Sequence, residues 1–327
     1  MSSSRTARLL GAALIGALAL TACGSGGETT TSSSAPSSAA QDTGPRTITD
    51  ATGAKVTVPA NPKNVVALAE TDLDAAIALG VTPIGASKSR QGDSVAGYLS
   101  AKVPNVKLVG EIVEPDIEAI AALDPKPDVI LYGHFIEPDP AQLADLNAIA
   151  PTVVTSIVSD DWKTSLKGVA NALNLSAKAD EVLKDYDKKV EETKKALGAN
   201  ASAEVSLVRW NPQGPSYLQK QHFASTVVSE LGLKRPQVQQ TDGTGPSEAV
   251  SLEKLDVLDA DWIFLGTLNS DGAAALAQAE QNPTWTKLKA VGAKHVVTVD
   301  GVPWTSRGGP IAAGVVLDDI RKALGSA

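Results

Sequence analysis

Two places in this chain set a tryptophan close to an arginine. Arg209 and Trp210 are adjacent, and Arg307 follows Trp304 by one short step. An indole offers a flat apolar face to a large ligand, and a guanidinium offers a fork of donors that matches paired anionic oxygens. Tyr217, His222 and Phe223 follow the first pair in a stretch that reads as a loop opening a helix. Arg90, Tyr98 and His134 are further candidates nearer the N-terminus. This is the chemistry of holding a molecule. Bond-making is not indicated, because the sequence has no G-x-S-x-G elbow, no G-x-x-x-x-G-K-[ST] loop and no H-E-x-x-H. Gly243-Thr244-Gly245 begins like a dinucleotide fingerprint, but Glu248 stands in the third glycine's place and no strand immediately precedes it.

Composition narrows the partners. Lys and Arg total 29 against 37 Asp and Glu, a formal net charge of -8, which argues against nucleic acid and its phosphates. The single cysteine, Cys23, excludes a disulfide framework and any Cys-rich metal cluster. The histidines, His134, His222 and His295, lie far apart in the chain and make a direct zinc or manganese binder a poor reading. Haem needs only one axial ligand, for which Tyr217, His222 and His134 are available. At 327 residues and 43% hydrophobic, the chain can bury the cores of two ordinary domains.

The elements that must position these residues alternate between strand and helix. Val65–Leu68 reads as a buried strand leading into a helix that opens Thr71-Asp72-Leu73-Asp74 and closes at Gly80. Residues 116–123, 129–132, 140–149 and 152–157 continue as helix, strand, helix and strand. A second block repeats the alternation: strands 205–208, 262–265 and 295–299, helices 224–231 and 252–258, and a terminal helix 311–324. The expected fold is therefore α/β, with mainly parallel sheets in two similar lobes. Between the blocks, residues 177–197 lack Gly and Pro and carry Val182, Leu183, Tyr186, Val190 and Leu197 on or near one stripe, which predicts a long, rigid and mostly exposed helix. The lobes echo each other. Asp116-Ile117-Glu118 with its apolar helix, Asp124 and strand parallels Ser251-Leu252-Glu253 with Asp259 and strand. A pair of lobes built on one unit implies a ligand cleft between them. Glu118 and Glu253 occupy matching positions in the first turn, where the helix dipole alone would favour an acid.

The N-terminus reads as a targeting signal. Arg5 and Arg8 precede a run of small and apolar residues from Leu9 to Ala22, shorter than the roughly 20 residues that a membrane-spanning helix requires. Its end, Leu20-Thr21-Ala22-Cys23, closely resembles a bacterial lipobox. That resemblance implies cleavage before Cys23 and acylation of its thiol. Residues 1–22 are thus the signal peptide and 23–45 an acylated cysteine with a flexible tether lacking any large aliphatic residue. The N-terminal lobe is expected over 46–160, the connecting helical segment over 161–200 and the C-terminal lobe over 201–327.

The stretches 61–87, 109–133, 250–266 and 285–320, in this order, resemble a class III substrate-binding protein of an ABC importer, of the ferric-siderophore, haem and cobalamin group. The resemblance implies two lobes joined by one long helix, no catalysis, and a lipid-anchored monomer on the outer face of the cell membrane. It further implies capture of a ferric siderophore and delivery to an ABC permease, with a haem- or cobalamin-binding receptor as the alternative. Glu118 and Glu253 match the glutamates that dock on the permease, one per lobe, and Trp304 matches a cleft aromatic. Ligand contacts are expected from Arg209, Trp210, Trp304, Arg307, Tyr217, Phe223, Arg90 and His134. Some hydroxamate-siderophore binders carry an Arg where this chain has Ile112 and a Trp where it has Gly245. These departures favour a different chelate, held by Arg209, Arg307 and the Trp pair.

Overall fold

A computed structural model describes residues 44–90, 92–133 and 139–325. The signal segment, Cys23 and His134 lie outside the described residues. The chain enters through a hairpin, β1 (Arg46–Thr49) and β2 (Lys55–Val58), whose turn is closed by the Asp50 carboxylate accepting from the Thr52 and Ala54 amides. The first lobe follows as β3 (Val65–Ala67), α1 (Glu70–Ala78), β4 (Gly85–Ala86), α2 (Gly97–Ser100), β5 (Lys107–Leu108), α3 (Ile117–Ala121), β6 (Val129–Gly133), α4 (Pro140–Ile149) and β7 (Thr152–Ser156). Its sheet is wholly parallel in the order β5-β4-β3-β6-β7. The strand order reverses between β3 and β6, so a crevice opens outside their carboxyl ends, beside the start of α1.

Two helices lead out of this lobe, α5 (Trp162–Leu173) and α6 (Ser176–Leu197). At 22 residues, α6 is about 33 Å long. It buries Ala179, Tyr186, Val190, Thr193 and Leu197 and leaves its charges in solvent, as the sequence pattern requires. Tyr186 packs edge-on against Trp162 and donates to Glu230 Oε2 at 2.8 Å, so the strut is fixed to both lobes.

The second lobe comprises β8 (Val205–Asn211), β9 (Gly214–Tyr217), α7 (Phe223–Glu230), β10 (Trp262–Thr267), α8 (Ser270–Ala279), α9 (Pro283–Thr286), α10 (Lys289–Gly292), β11 (Val296–Asp300), α11 (Gly301–Thr305) and α12 (Pro310–Leu324). Its order is β11-β10-β8-β9, parallel except for the antiparallel pair β8–β9. The sequence echo becomes a pair of short helices with side-chain caps. Asp116 accepts from the Ala119 amide at 2.9 Å, and Ser251 accepts from the Glu253 amide at 3.3 Å. The second, Leu252–Leu258, is wound as 3-10 helix with Lys254 off helical geometry, so the two copies agree in placement but not in pitch.

Candidate functional site

The tryptophan–arginine pairs are split by the fold. Strand β8 runs on to Asn211, beyond the Val208 at which the sequence pattern ends it, so Arg209 and Trp210 are consecutive strand residues on opposite faces of the sheet. Trp210 is 1% exposed and packs edge-on against Trp285 in a core cluster. Arg209 points to the other face, where it donates to the Thr305 carbonyl. Trp304 is also 1% exposed, stacked on Phe264 at 4.7 Å between ring centroids, with its indole N–H donating to Asp319 Oδ2 at 2.8 Å. Both tryptophans belong to the core, and the expectation that they face the ligand is corrected: strand alternation removes Trp210, and the buried turn of α11 removes Trp304. Tyr217 is half-buried on β9, not in a loop.

The arginines do come together. Arg307 lies in the segment between α11 and α12, donates to the Val158 carbonyl of the first lobe at 2.8 Å and lines the cleft between the lobes. That cleft is walled by Thr71, Asp160 and Trp162 from the first lobe side and by Gln221, Phe223 and Arg307 from the second. Its volume is about 40 Å³. Sites for drug-sized ligands run to about 300–1,000 Å³, so a large ligand needs the lining side chains or the lobes to give way. Arg90, in the loop after β4, is near enough to act on both partners. Arg209 is held down at about 10 by burial and next by the charge of Arg90. Arg307 is lowered by the same causes in the same order, with Asp160 opposing. Arg90 of the first lobe thus acts electrostatically on two guanidinium groups of the second, with the Asp160 and Glu70 carboxylates close by.

Behind them sits His222, which caps α7 without a side-chain bond to the helix. Its Nε2 faces the Thr305 carbonyl at 3.3 Å, the oxygen that Arg209 also uses. Burial, and then Arg209, Arg235 and Arg307, push its pKa down to about 3, so the ring is neutral at physiological pH. His222 and the half-buried Tyr217 are separated from solvent by different amounts, and neither is presented as an open axial ligand. Among the described residues, no group of three or more His, Cys, Asp or Glu is arranged to hold a metal ion.

The sequence reading passed over the acids that open α1. Glu70, Asp72 and Asp74 are all buried, which carboxylates tolerate only when hydrogen-bonded. Asp72 accepts from Thr155 Oγ1 at 2.6 Å and from the Gly133 amide at 2.7 Å, tying α1 to the ends of β6 and β7. Asp74 accepts from the Ile311 and Ala312 amides at 2.8 and 2.9 Å, from Gly309 at 3.3 Å and from the Tyr98 hydroxyl at 3.0 Å. It is an N-cap for α12 delivered from the other lobe. A Cβ on Gly309 would stand 2.6 Å from Asp74 Oδ1, so glycine at 309 is what lets the carboxylate reach the helix start. The available signal was three acids alternating in Glu70-Thr71-Asp72-Leu73-Asp74 straight after an apolar strand. Glu118 and Glu253 are exposed, each in the first turn of its short helix.

Comparison with known proteins agrees with this architecture. A family model described as periplasmic binding protein matches residues 65–303. The chain is 36% identical over 318 residues to a probable siderophore-binding lipoprotein, YfiY, of Bacillus subtilis, covering 94% of each. Among solved structures, it superposes on Staphylococcus aureus SirA complexed with staphyloferrin B with a TM-score of 0.71 at 25% identity, covering 85% of this chain and 98% of that one. Bacillus subtilis FeuA complexed with ferri-bacillibactin gives the same TM-score, identity and coverage. With parallel sheets in both lobes and one long helix between them, the chain belongs to the periplasmic binding protein family, in its class III group.

Proposed function

We propose that the protein is a lipid-anchored receptor that captures a ferric siderophore outside the membrane and delivers it to an ABC permease. The observation that carries the reading is geometric: Glu70 touches both the Arg90 amide and Ser306, Arg209 holds the Thr305 carbonyl, and Arg307 lines the cleft, in a chain whose overall charge is -8. Positive potential gathered at one place on an acidic protein selects an anion. Ferric complexes of catecholates and carboxylates keep net negative charge and present oxygen edges that guanidinium forks match, whereas a ferric trihydroxamate is neutral. The relatives named for siderophore and iron uptake support the same reading. Cys23 would carry the acyl chains, each methylene contributing about 0.8 kcal/mol of membrane affinity. Glu118 and Glu253, exposed and rigidly mounted at capped helix starts, would dock on basic groups of the permease.

Tryptophan quenching of the detergent-solubilised full chain tests the ligand. Ferric staphyloferrin B, ferri-bacillibactin or ferric citrate should quench at micromolar concentration or below, and ferrichrome and bare Fe³⁺ should not. Tight binding of bare iron, or of haem in place of every chelate, would falsify the reading. Docking is tested separately: Glu118→Ala with Glu253→Ala should abolish uptake of the bound chelate by cells and leave the quenching curve unchanged. Lost binding in that variant would make the two glutamates part of the fold or the pocket.

A further inference from the structure

Arg307 belongs to the second lobe by sequence, yet first-lobe groups hold the chain on either side of it. Glu70 Oε2 accepts from Ser306 Oγ at 2.9 Å, immediately before it, and Asp74 grips the amides of Gly309, Ile311 and Ala312, immediately after. Glu70 Oε1 also accepts from the backbone amide of Arg90 at 3.3 Å. One carboxylate therefore touches the main chain of one cleft arginine and the residue next to another, each from a different lobe. Glu70 and Asp74 stand one helical turn apart on α1 and present the same face to the strap 306–312. Both are buried, and Glu70 stands in the first turn, where α1 itself favours negative charge.

We infer that Glu70 is a positioning residue for ligand capture: it presets Arg90 and, through Ser306, Arg307, so that the two guanidiniums meet an anionic chelate already placed. The inference rests on the chelate reading above. Without the carboxylate, the loop after β4 and the strap lose their common anchor, and each arginine must be ordered when the ligand arrives. That ordering cost appears as lost affinity. Asp74 keeps the far end of the strap fixed in either case, so the fold does not depend on Glu70 alone.

The charge of Glu70 makes the test one of sign. Removing a negative group from beside Arg90 would by itself strengthen the hold on an anion, whereas loss of positioning weakens it. The probe is whichever of ferric staphyloferrin B, ferri-bacillibactin and ferric citrate the unaltered chain binds, read by tryptophan quenching. Glu70→Gln removes one of the two acceptor oxygens and should weaken binding about tenfold. Ser306→Ala should weaken it several-fold in a chain that still unfolds cooperatively, which keeps the inference open to test if Glu70→Gln folds poorly. In an Arg307→Ala background the Glu70→Gln effect should shrink to a remainder carried by Arg90. Unchanged or tighter binding in Glu70→Gln and Ser306→Ala, with Arg307→Ala weakened, overturns the positioning role and leaves the chelate reading standing. If Arg307→Ala binds as the unaltered chain does, the chelate reading falls and the inference falls with it.

Discussion

The two lobes bury opposite charges at the ends of their sheets. In the first, Glu70, Asp72 and Asp74 are each satisfied by donors from their own lobe or from the strap. In the second, Arg209 has the Thr305 carbonyl, and Arg235 has the Leu218 carbonyl at 2.7 Å and Gln239 Oε1 at 2.6 Å. The Nε atoms of both arginines are nevertheless buried without a hydrogen-bond partner. A buried donor left unpaired costs about 1–3 kcal/mol. The acids are therefore structural groups whose energetics close within the fold, while the bases hold donor capacity that the fold does not consume. Under the proposed function, that unspent donor capacity is what an anion would meet.

Breaking the acidic side should be felt in stability. Asp74→Ala strips the cap from α12 and leaves the Tyr98 hydroxyl buried without its acceptor, so urea unfolding should show a loss of about 3 kcal/mol. Gly309→Ala drives a methyl into the same carboxylate and should cost about 1–3 kcal/mol. A midpoint unmoved by either change would mean that the strap is held by packing of α12 on α1 and α6, not by the carboxylate. Breaking the basic side should be felt in binding. Arg209→Met exchanges a buried charge for an apolar chain of similar length and should leave stability within about 1 kcal/mol, since replacing buried ions by apolar groups is often neutral. Affinity for the ferric chelate should fall about tenfold to a hundredfold in a quenching titration. An Arg209→Met protein that unfolds but still binds would reverse the comparison.

The difference between the lobes also explains what the sequence made readable. Alternating strands and helices, the gap-free charged stretch that became α6 and the capped echo at Asp116 and Ser251 are local patterns, and they folded where the pattern lay. The place of Arg209 toward a strand's carboxyl end was legible as well, because the apolar run Val205–Val208 points to it directly. Trp210 turns on three residues of strand length: with β8 ending at Val208, Arg209 and Trp210 could share a loop, but with β8 ending at Asn211 they cannot share a face; Trp304 turns instead on the buried helical turn Gly301–Thr305. The acids of α1 stayed hidden because their partners lie far along the chain, Thr155 for Asp72, Ser306 for Glu70 and Ile311 for Asp74. An acid at a helix start looks like an ordinary dipole preference until the segment it caps is folded onto it.

The smallest effect is expected from pH, because the lobes oppose each other there. Burial pushes Asp72 and Asp74 up to about 6 from 3.8, against their hydrogen bonds. The folded chain then takes these protons first, so their contribution to stability is greatest below 3.8 and is lost as pH rises through about 6. His222 is lowered to about 3 from 6.5, so the unfolded chain takes its proton first and stability falls as pH drops from 6.5 toward 3. Over the shared window the two slopes cancel in part, and the thermal midpoint of the unaltered chain should move little. His222→Gln keeps a donor for the Thr305 carbonyl but cannot titrate, and its midpoint should rise on acidification from pH 6.5 to 4. Asp72→Asn with Asp74→Asn should show the reverse, a midpoint that drops over the same range as the His222 slope is opposed only by Glu70, whose carboxyl is also pushed up by burial. Parallel curves for all three proteins would mean that neither set of buried groups differs in protonation between the folded and unfolded chain.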